Sequence, residues 1–156
     1  MIELTQILDK NLDAEASLTL PIEQRVRSRL RVTLDDGRDA GLFLPRGALL
    51  RGGDRLGSDD GLVIAILAAN ETVSTVHTDD SILLTRAAYH LGNRHIPLQV
   101  EKGWLRYLHD HVLDEMLQQM DLEVVVEQAP FEPEAGAYQQ AAHQHTHQHS
   151  HSHQHD

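Results

Sequence analysis

The sequence predicts an α+β fold in which a small all-β domain precedes a ferredoxin-like βαββαβ domain and a disordered histidine-rich tail. Three observations support this prediction. Residues 1–70 alternate short apolar runs with turn signals, residues 71–135 combine strand-like runs with two amphipathic helical patterns, and histidine occupies every second position from residue 143 onward. We therefore expect domains at residues 1–70 and 71–135 and a tail at residues 136–156.

Five strands are predicted in the first domain from short apolar or alternating runs. They cover residues 2–8, 16–20, 29–34, 40–44 and 62–68. Turn-forming residues separate them, notably at Asp35-Asp36-Gly37, Pro45-Arg46-Gly47, Arg51-Gly52-Gly53-Asp54 and Asp59-Asp60-Gly61. Closely spaced strands with such turns are typical of a small barrel or sandwich, and this is the architecture that we expect.

Four arginines recur at every second position in this domain. They are Arg25, Arg27, Arg29 and Arg31. On an extended strand all four guanidinium groups would project from one side, because alternate side chains share a face. Such a stripe could dock an acidic partner, but an ordinary solvated strand face is the favoured interpretation.

The second domain begins with a strand at residues 71–78, and a helix follows it. Asp79, Asp80 and Ser81 are candidate N-cap residues. The apolar face of this helix carries Leu84, Ala87, Ala88 and Leu91. Gly92 stands directly after this pattern, so we expect it to end the helix as the C′ residue and to place His95 in the following turn.

A hairpin and a second helix complete the domain. Residues 97–100 and 104–108 flank the turn Glu101-Lys102-Gly103, and residues 122–126 form a last strand. The helix between them has an apolar stripe formed by Val112, Leu113, Met116, Leu117 and Met120. The order β-α-β-β-α-β predicts the ferredoxin-like arrangement, with both helices on one face of a four-stranded antiparallel sheet.

Composition limits the classes of partner. The chain of 156 residues has a formal net charge of −11 with neutral histidines, which argues against nucleic acid and anionic membranes and favours cations. Because cysteine is absent, disulfides and thiolate metal sites are excluded, and imidazole and carboxylate groups remain as ligands. No signal-peptide pattern opens the chain, and no apolar run approaches about eighteen residues, so we expect a cytoplasmic protein.

Histidine is the strongest functional signal. His95, His109 and His111 fall within seventeen positions, and imidazole is the commonest protein ligand for transition metals. The two-residue spacing of His109 and His111 suits an extended segment or a helix entrance. Two or three imidazoles rarely satisfy a transition ion, so a metal shared across a symmetric dimer is the economical interpretation. The alternative for His95 is a hydrogen-bonded structural histidine.

The tail supplies seven further histidines at alternating positions. They are His143, His145, His147, His149, His151, His153 and His155. Such a segment has nothing from which to build a core, so we interpret it as a disordered metal-binding tract. An expression tag is the alternative, although tags are usually uninterrupted histidine runs.

Several motifs together resemble the urease accessory protein E family. They are residues 86–99 with Gly92-Asn-Arg-His95-Ile-Pro97, residues 109–117 with His109-Asp-His111, residues 130–138, and Leu44-Pro-Arg-Gly47 with Gly53-Asp54. The resemblance implies a homodimeric metallochaperone that delivers Ni(II) to apo-urease together with the other urease accessory proteins, including their GTPase. It also implies that His95 binds metal at the dimer interface, that His109, His111 and the tail add sites, and that the first domain resembles a chaperone's peptide-binding module.

Two other functions are alternatives to this one. A passive nickel or zinc store would use the capacity of the tail, and Zn(II), Cu(II) or Co(II) would also be bound in vitro because imidazole accepts all of them. A metal-dependent hydrolase is suggested by His109-Asp110-His111. However, the sequence has no nucleophile elbow, P-loop or dinucleotide-binding glycine motif, so we expect the protein not to be an enzyme.

Overall fold

The first part of the chain forms a six-stranded sheet in the computed structural model, which describes residues 1–136. Its strands are β1 (Ile2–Leu8), β2 (Ala16–Leu20), β3 (Arg29–Thr33), β4 (Asp39–Phe43), β5 (Arg55–Ser58) and β6 (Val63–Ala68), and a short helix, α1 (Ile22–Arg25), follows β2. The strand order is β2-β6-β5-β1-β4-β3. All five predicted strands are present, whereas the sequence pattern predicted neither β5 nor α1.

The sheet curls so that its two edges meet near Asp35, in the turn after β3. The Asp35 backbone N–H donates to the Ser17 carbonyl oxygen on β2 at 2.9 Å. The Asp35 carboxylate also accepts hydrogen bonds from the hydroxyls of Ser17 at 2.6 Å and Thr19 at 2.8 Å. Inside the curl lies an apolar core whose fully buried members include Leu4, Leu42, Leu56, Ile64 and Ile66. Of the two predicted architectures, a small barrel and a sandwich, this arrangement agrees with the barrel.

The second part of the chain is ferredoxin-like. It contains β7 (Asn70–His77), α2 (Ser81–Asn93), β8 (Gln99–Glu101), β9 (Trp104–Leu108), α3 (His111–Gln119) and β10 (Val125–Pro130). The sheet has the order β10-β7-β9-β8, and every pair in it is antiparallel. Leu91 of α2 and Leu117 of α3 are fully buried in one cluster with Leu105 and Tyr107 of β9. The predicted βαββαβ fold class is therefore confirmed.

The helix ends differ from the predicted ones. Gly92 lies inside α2, so the prediction that it ends the helix is wrong, and His95 with φ 59° occupies the left-handed position after the helix. At the end of α3, Asp121 has φ 65°, and the Leu122 N–H donates to the Leu117 carbonyl at 3.1 Å. This Schellman arrangement buries Leu122 as a capping residue, which is why the last strand begins at Val125 instead of residue 122.

The predicted arginine stripe on one strand is also wrong. Arg25 is the last residue of α1 and has no exposed surface, whereas Arg29 and Arg31 lie on β3. The Arg25 guanidinium donates to the carbonyl oxygens of Leu20, at 3.0 Å, and Phe131, and it forms an ion pair with Glu132. Arg25 therefore connects the two parts of the chain and is not part of a docking face.

An apolar cluster accompanies this ion pair at the junction between the two sheets. Ile22 from the first part packs with Val73 and Phe131 from the second, and all three side chains are almost fully buried.

Within the described residues, no helix is both long enough and apolar enough to cross a membrane. The predicted disordered tail, with histidines 143 to 155, lies outside the described residues.

Candidate metal centre

His95 is held at the C-terminal end of α2. The helix begins at Asp80, whose carboxylate accepts hydrogen bonds from the backbone N–H groups of Ile82 and Leu83, both at 3.1 Å. It ends with the His95 N–H donating to the Gly92 carbonyl at 3.0 Å. The next residue, Ile96, packs against the apolar core beneath the helices. The backbone on both sides of His95 is thus anchored, while the His95 side chain is exposed.

His109 and His111 flank the start of α3. Asp110 between them is the N-cap of this helix, because its carboxylate accepts hydrogen bonds from the Val112 N–H at 2.9 Å and the Leu113 N–H at 3.4 Å. The backbone N–H of His109 donates a hydrogen bond to the Thr72 carbonyl oxygen on the neighbouring strand β7 at 3.1 Å, which anchors His109 to that strand. The pair therefore stands at a helix entrance, one of the two settings that its spacing suits.

The His109 ring is supported by a network of buried polar groups. Its Nδ1 lies 3.1 Å from Oδ2 of Asp114 and 3.2 Å from Oγ of Ser74. The Tyr107 hydroxyl donates to the other oxygen of Asp114, Oδ1, at 2.6 Å. Burial, followed by the hydrogen bond to Asp114, raises the pKa of Tyr107 above its ordinary value. Tyr107 therefore keeps its proton and acts as a donor to the carboxylate.

A cavity of about 210 Å³ separates this network from the segment after His95. Its walls include Ile96 and Pro97 on one side and Tyr107, Leu108, His109, Asp110 and Leu113 on the other. The segment that follows His95 and the residue His109 thus line the same cavity, although β8 and β9 lie between them in the sequence.

The three histidines do not complete a metal site within the part of one chain that the structure describes. Among residues 1–136 no group of three or more histidine, aspartate or glutamate side chains is close enough together to hold an ion. The individual imidazoles of His95, His109 and His111 suit borderline transition ions, because they are neutral nitrogen donors when unprotonated. Metal binding by these residues stays a prediction, and so does binding by the tail histidines.

The sequence pattern did not reveal the residues that support His109. In the sequence Asp114 is one of several acidic residues near the start of a helical pattern, but in the structure it is buried and lies within hydrogen-bond distance of both His109 and Tyr107. Alternation along an extended segment places Tyr107 and His109 on the same side, which was the one available signal. Ser74 could be found only from the strand register, in which it lies opposite Tyr107.

Comparisons with known proteins agree over both parts of the chain. Residues 4–69 match the family described as UreE urease accessory protein, N-terminal domain, and residues 71–156 match its C-terminal domain. The chain is 61% identical over 144 residues to the urease accessory protein UreE of Enterobacter sp. (strain 638). The aligned region covers 92% of this chain and 95% of the relative.

Two further relatives have the same name. The chain is 60% identical to the urease accessory protein UreE of Pseudomonas putida (strain W619), with 92% of this chain and 89% of the relative covered. It is 58% identical to that of Citrobacter koseri, with 92% and 95% covered. Their names describe accessory proteins of urease and not catalysts.

Proposed function

The chain belongs to the UreE family of urease accessory proteins, and from this premise we propose that it is a nickel metallochaperone that delivers Ni(II) to apo-urease. It acts in the cytoplasm with the other urease accessory proteins, including their GTPase. The observation that carries the proposal is the setting of His95. This residue offers an exposed imidazole from an anchored position at the end of a helix.

A homodimer with His95 from each copy near the symmetry axis would provide the shared site. Two features support this part of the proposal. One copy of the described chain has no group of three ligands, whereas a two-fold axis doubles every ligand near it. The helices also expose large apolar side chains, including Ile82 and Tyr89 on α2 and Val112 on α3, which a second copy could cover.

The tail histidines and His109 and His111 then act as additional sites. Imidazole-rich sites bind Zn(II), Cu(II) and Co(II) as well, so selectivity for nickel comes from geometry and metal supply more than from ligand type. Passive storage of metal is the second candidate function, and the observation that favours it is the seven histidines of the tail.

A transfer assay separates delivery from storage. Nickel-loaded protein and an equal amount of free nickel would each be added to apo-urease with the accessory proteins, in the presence of a competing chelator. A metallochaperone should activate more urease than free nickel does, because its nickel passes to a docked partner. A store should activate no more urease than free nickel, and that result would contradict the proposal. Native mass spectrometry of the same samples should show the dimer.

A further inference from the structure

The hydrogen-bond network at Nδ1 of His109 is of the kind that orients a metal-binding histidine. Histidines that bind metals commonly donate their second ring N–H to a carboxylate, which fixes the tautomer and the ring orientation. In this chain the Asp114 carboxylate lies 3.1 Å from Nδ1 of His109. Asp114 itself is buried and fixed from the other side by the Tyr107 hydroxyl at 2.6 Å.

The hydrogen bonds determine which ring nitrogen carries the proton. An ionised carboxylate only accepts hydrogen bonds, and one of its oxygens already accepts from Tyr107. The contact with the other oxygen therefore requires a proton on Nδ1 of His109. In the neutral ring Nε2 then has a lone pair, and the side chain, which is 37% exposed, can present it to an ion.

We propose that Asp114 is a positioning residue for nickel binding, because it holds His109 in the tautomer whose Nε2 is the ligand atom. This inference rests on the proposed function and assigns a role to a residue outside the histidine set. The rigid surroundings support it. Ser74, Tyr107 and Asp114 are all buried, and the backbone N–H of His109 is hydrogen-bonded to a carbonyl oxygen of β7. The cavity beside the ring leaves space next to the segment that follows His95.

The first test uses the unmodified full-length protein without metal. Two-bond ¹H–¹⁵N correlation spectra distinguish a protonated ring nitrogen from an unprotonated one, and at about pH 8 an ordinary imidazole is neutral. We expect His109 to carry its proton on Nδ1. A proton on Nε2 would overturn the inference.

The second test exchanges the carboxylate for an amide. In Asp114→Asn the Tyr107 hydroxyl still donates to the carbonyl oxygen, so the amide NH₂ group faces Nδ1 of His109. We expect Nδ1 then to accept from the amide and the proton to move to Nε2. Glu115→Gln is the matched control, because it removes the same charge from an exposed position one residue further along α3.

Binding would be followed with Zn(II), a diamagnetic probe, at the His109 resonances of each full-length variant. The tail histidines are the same in every variant, so they do not affect the comparison. Asp114→Asn should weaken binding at His109 about 10- to 100-fold, the usual loss when such a support is removed, whereas Glu115→Gln should not. Equal affinities in the two variants, or equal losses, would overturn the inference. Failure of the proposed function would instead appear as no urease activation by the unmodified chain, whatever the tautomer of His109.

Discussion

At the scale of single residues, His95 has an uncommon backbone conformation. In the part of the chain that the structure describes, His95 and Asp121 are the non-glycine residues with positive φ, and each directly follows the cap of a helix. A side chain in this conformation costs about 1–2 kcal/mol relative to glycine. The chain thus keeps a histidine where glycine would be more stable, which agrees with a functional role for the imidazole.

Substitutions at position 95 should separate the imidazole from the backbone. His95→Ala should abolish the tightest nickel site, and His95→Asn should do the same while retaining a residue that tolerates the left-handed conformation. His95→Gly should remove the site yet raise the free energy of unfolding relative to His95→Ala, by about 1 kcal/mol. Calorimetric nickel titrations and urea denaturation would measure both effects. Tight binding that persists in all three variants would contradict the role of His95.

Arg25 is the residue on which the junction between the two sheets depends. Arg25→Met should lower the free energy of unfolding by about 3 kcal/mol, because it leaves the Phe131 carbonyl and Glu132 without their buried donor. Arg27→Met is the control, since Arg27 is 54% exposed and its ion pair with Glu23 should contribute less than about 1 kcal/mol. Chemical denaturation of both variants measures the difference. Similar losses would contradict the structural role assigned to Arg25.

At the scale of elements, the two long helices both begin with an aspartate N-cap. Asp80→Ala should lower the free energy of unfolding by about 1 kcal/mol, because the N–H groups of Ile82 and Leu83 lose their acceptor. Asp79→Ala removes the same charge from the preceding exposed position and should change stability by less than about 0.5 kcal/mol. Thermal unfolding followed by circular dichroism would rank the two variants. A larger loss for Asp79→Ala would show that the helix begins elsewhere.

Closure of the first sheet should depend on pH through Asp35. The hydrogen bond from Ser17, reinforced by Thr19, holds the pKa of Asp35 below its ordinary value. The ionised carboxylate therefore stabilises the folded chain above about pH 4, and this contribution is lost as the pH falls through the lowered pKa.

Asp35→Asn tests this contribution. The variant should be less stable than the unmodified chain at pH 7, but the difference should shrink on acidification to about pH 3. Asp13→Asn, at an exposed position, makes the same change of charge as a control. Urea denaturation at several pH values gives the two curves. A constant difference between Asp35→Asn and the unmodified chain would contradict the argument.

The sequence predicts some elements more accurately than others. β1 and β2 have their predicted bounds, because both are short apolar or alternating runs bounded by polar residues. The sequence predicts Leu122 as the start of a strand, because an apolar residue beside a strand pattern has the same signature as an apolar capping residue. The two-residue spacing of the arginines predicts Arg25 on a strand, because such spacing carries no signal of the short helix α1 that ends at Arg25. The histidines could be chosen from residue type alone, but the role of Asp114 could be recognised only from the packing of α3 against β9 and β7.

At the scale of the whole molecule, anchored histidines and the tail should contribute differently to nickel handling. The tail has seven histidines at alternating positions, so under the proposed function it should have the larger capacity. If the tail is disordered, as the sequence predicts, its chelates would have to overcome the entropy of ordering the chain, and they should be weaker than a site built on folded backbone. Deleting residues 143–156 should therefore lower the number of nickel ions bound without removing the proposed dimer or the proposed His95 site. Calorimetry and native mass spectrometry measure these quantities.

The most direct measurement is urease activation by the unmodified chain, by His95→Ala and by the chain without residues 143–156, each at ample and at scarce nickel. Delivery through His95 predicts that the truncated chain activates apo-urease nearly as well as the full chain at ample nickel and falls behind when nickel is scarce. His95→Ala should activate poorly at both. Loss of activation on truncation at every nickel concentration, together with normal activation by His95→Ala, would contradict delivery through His95.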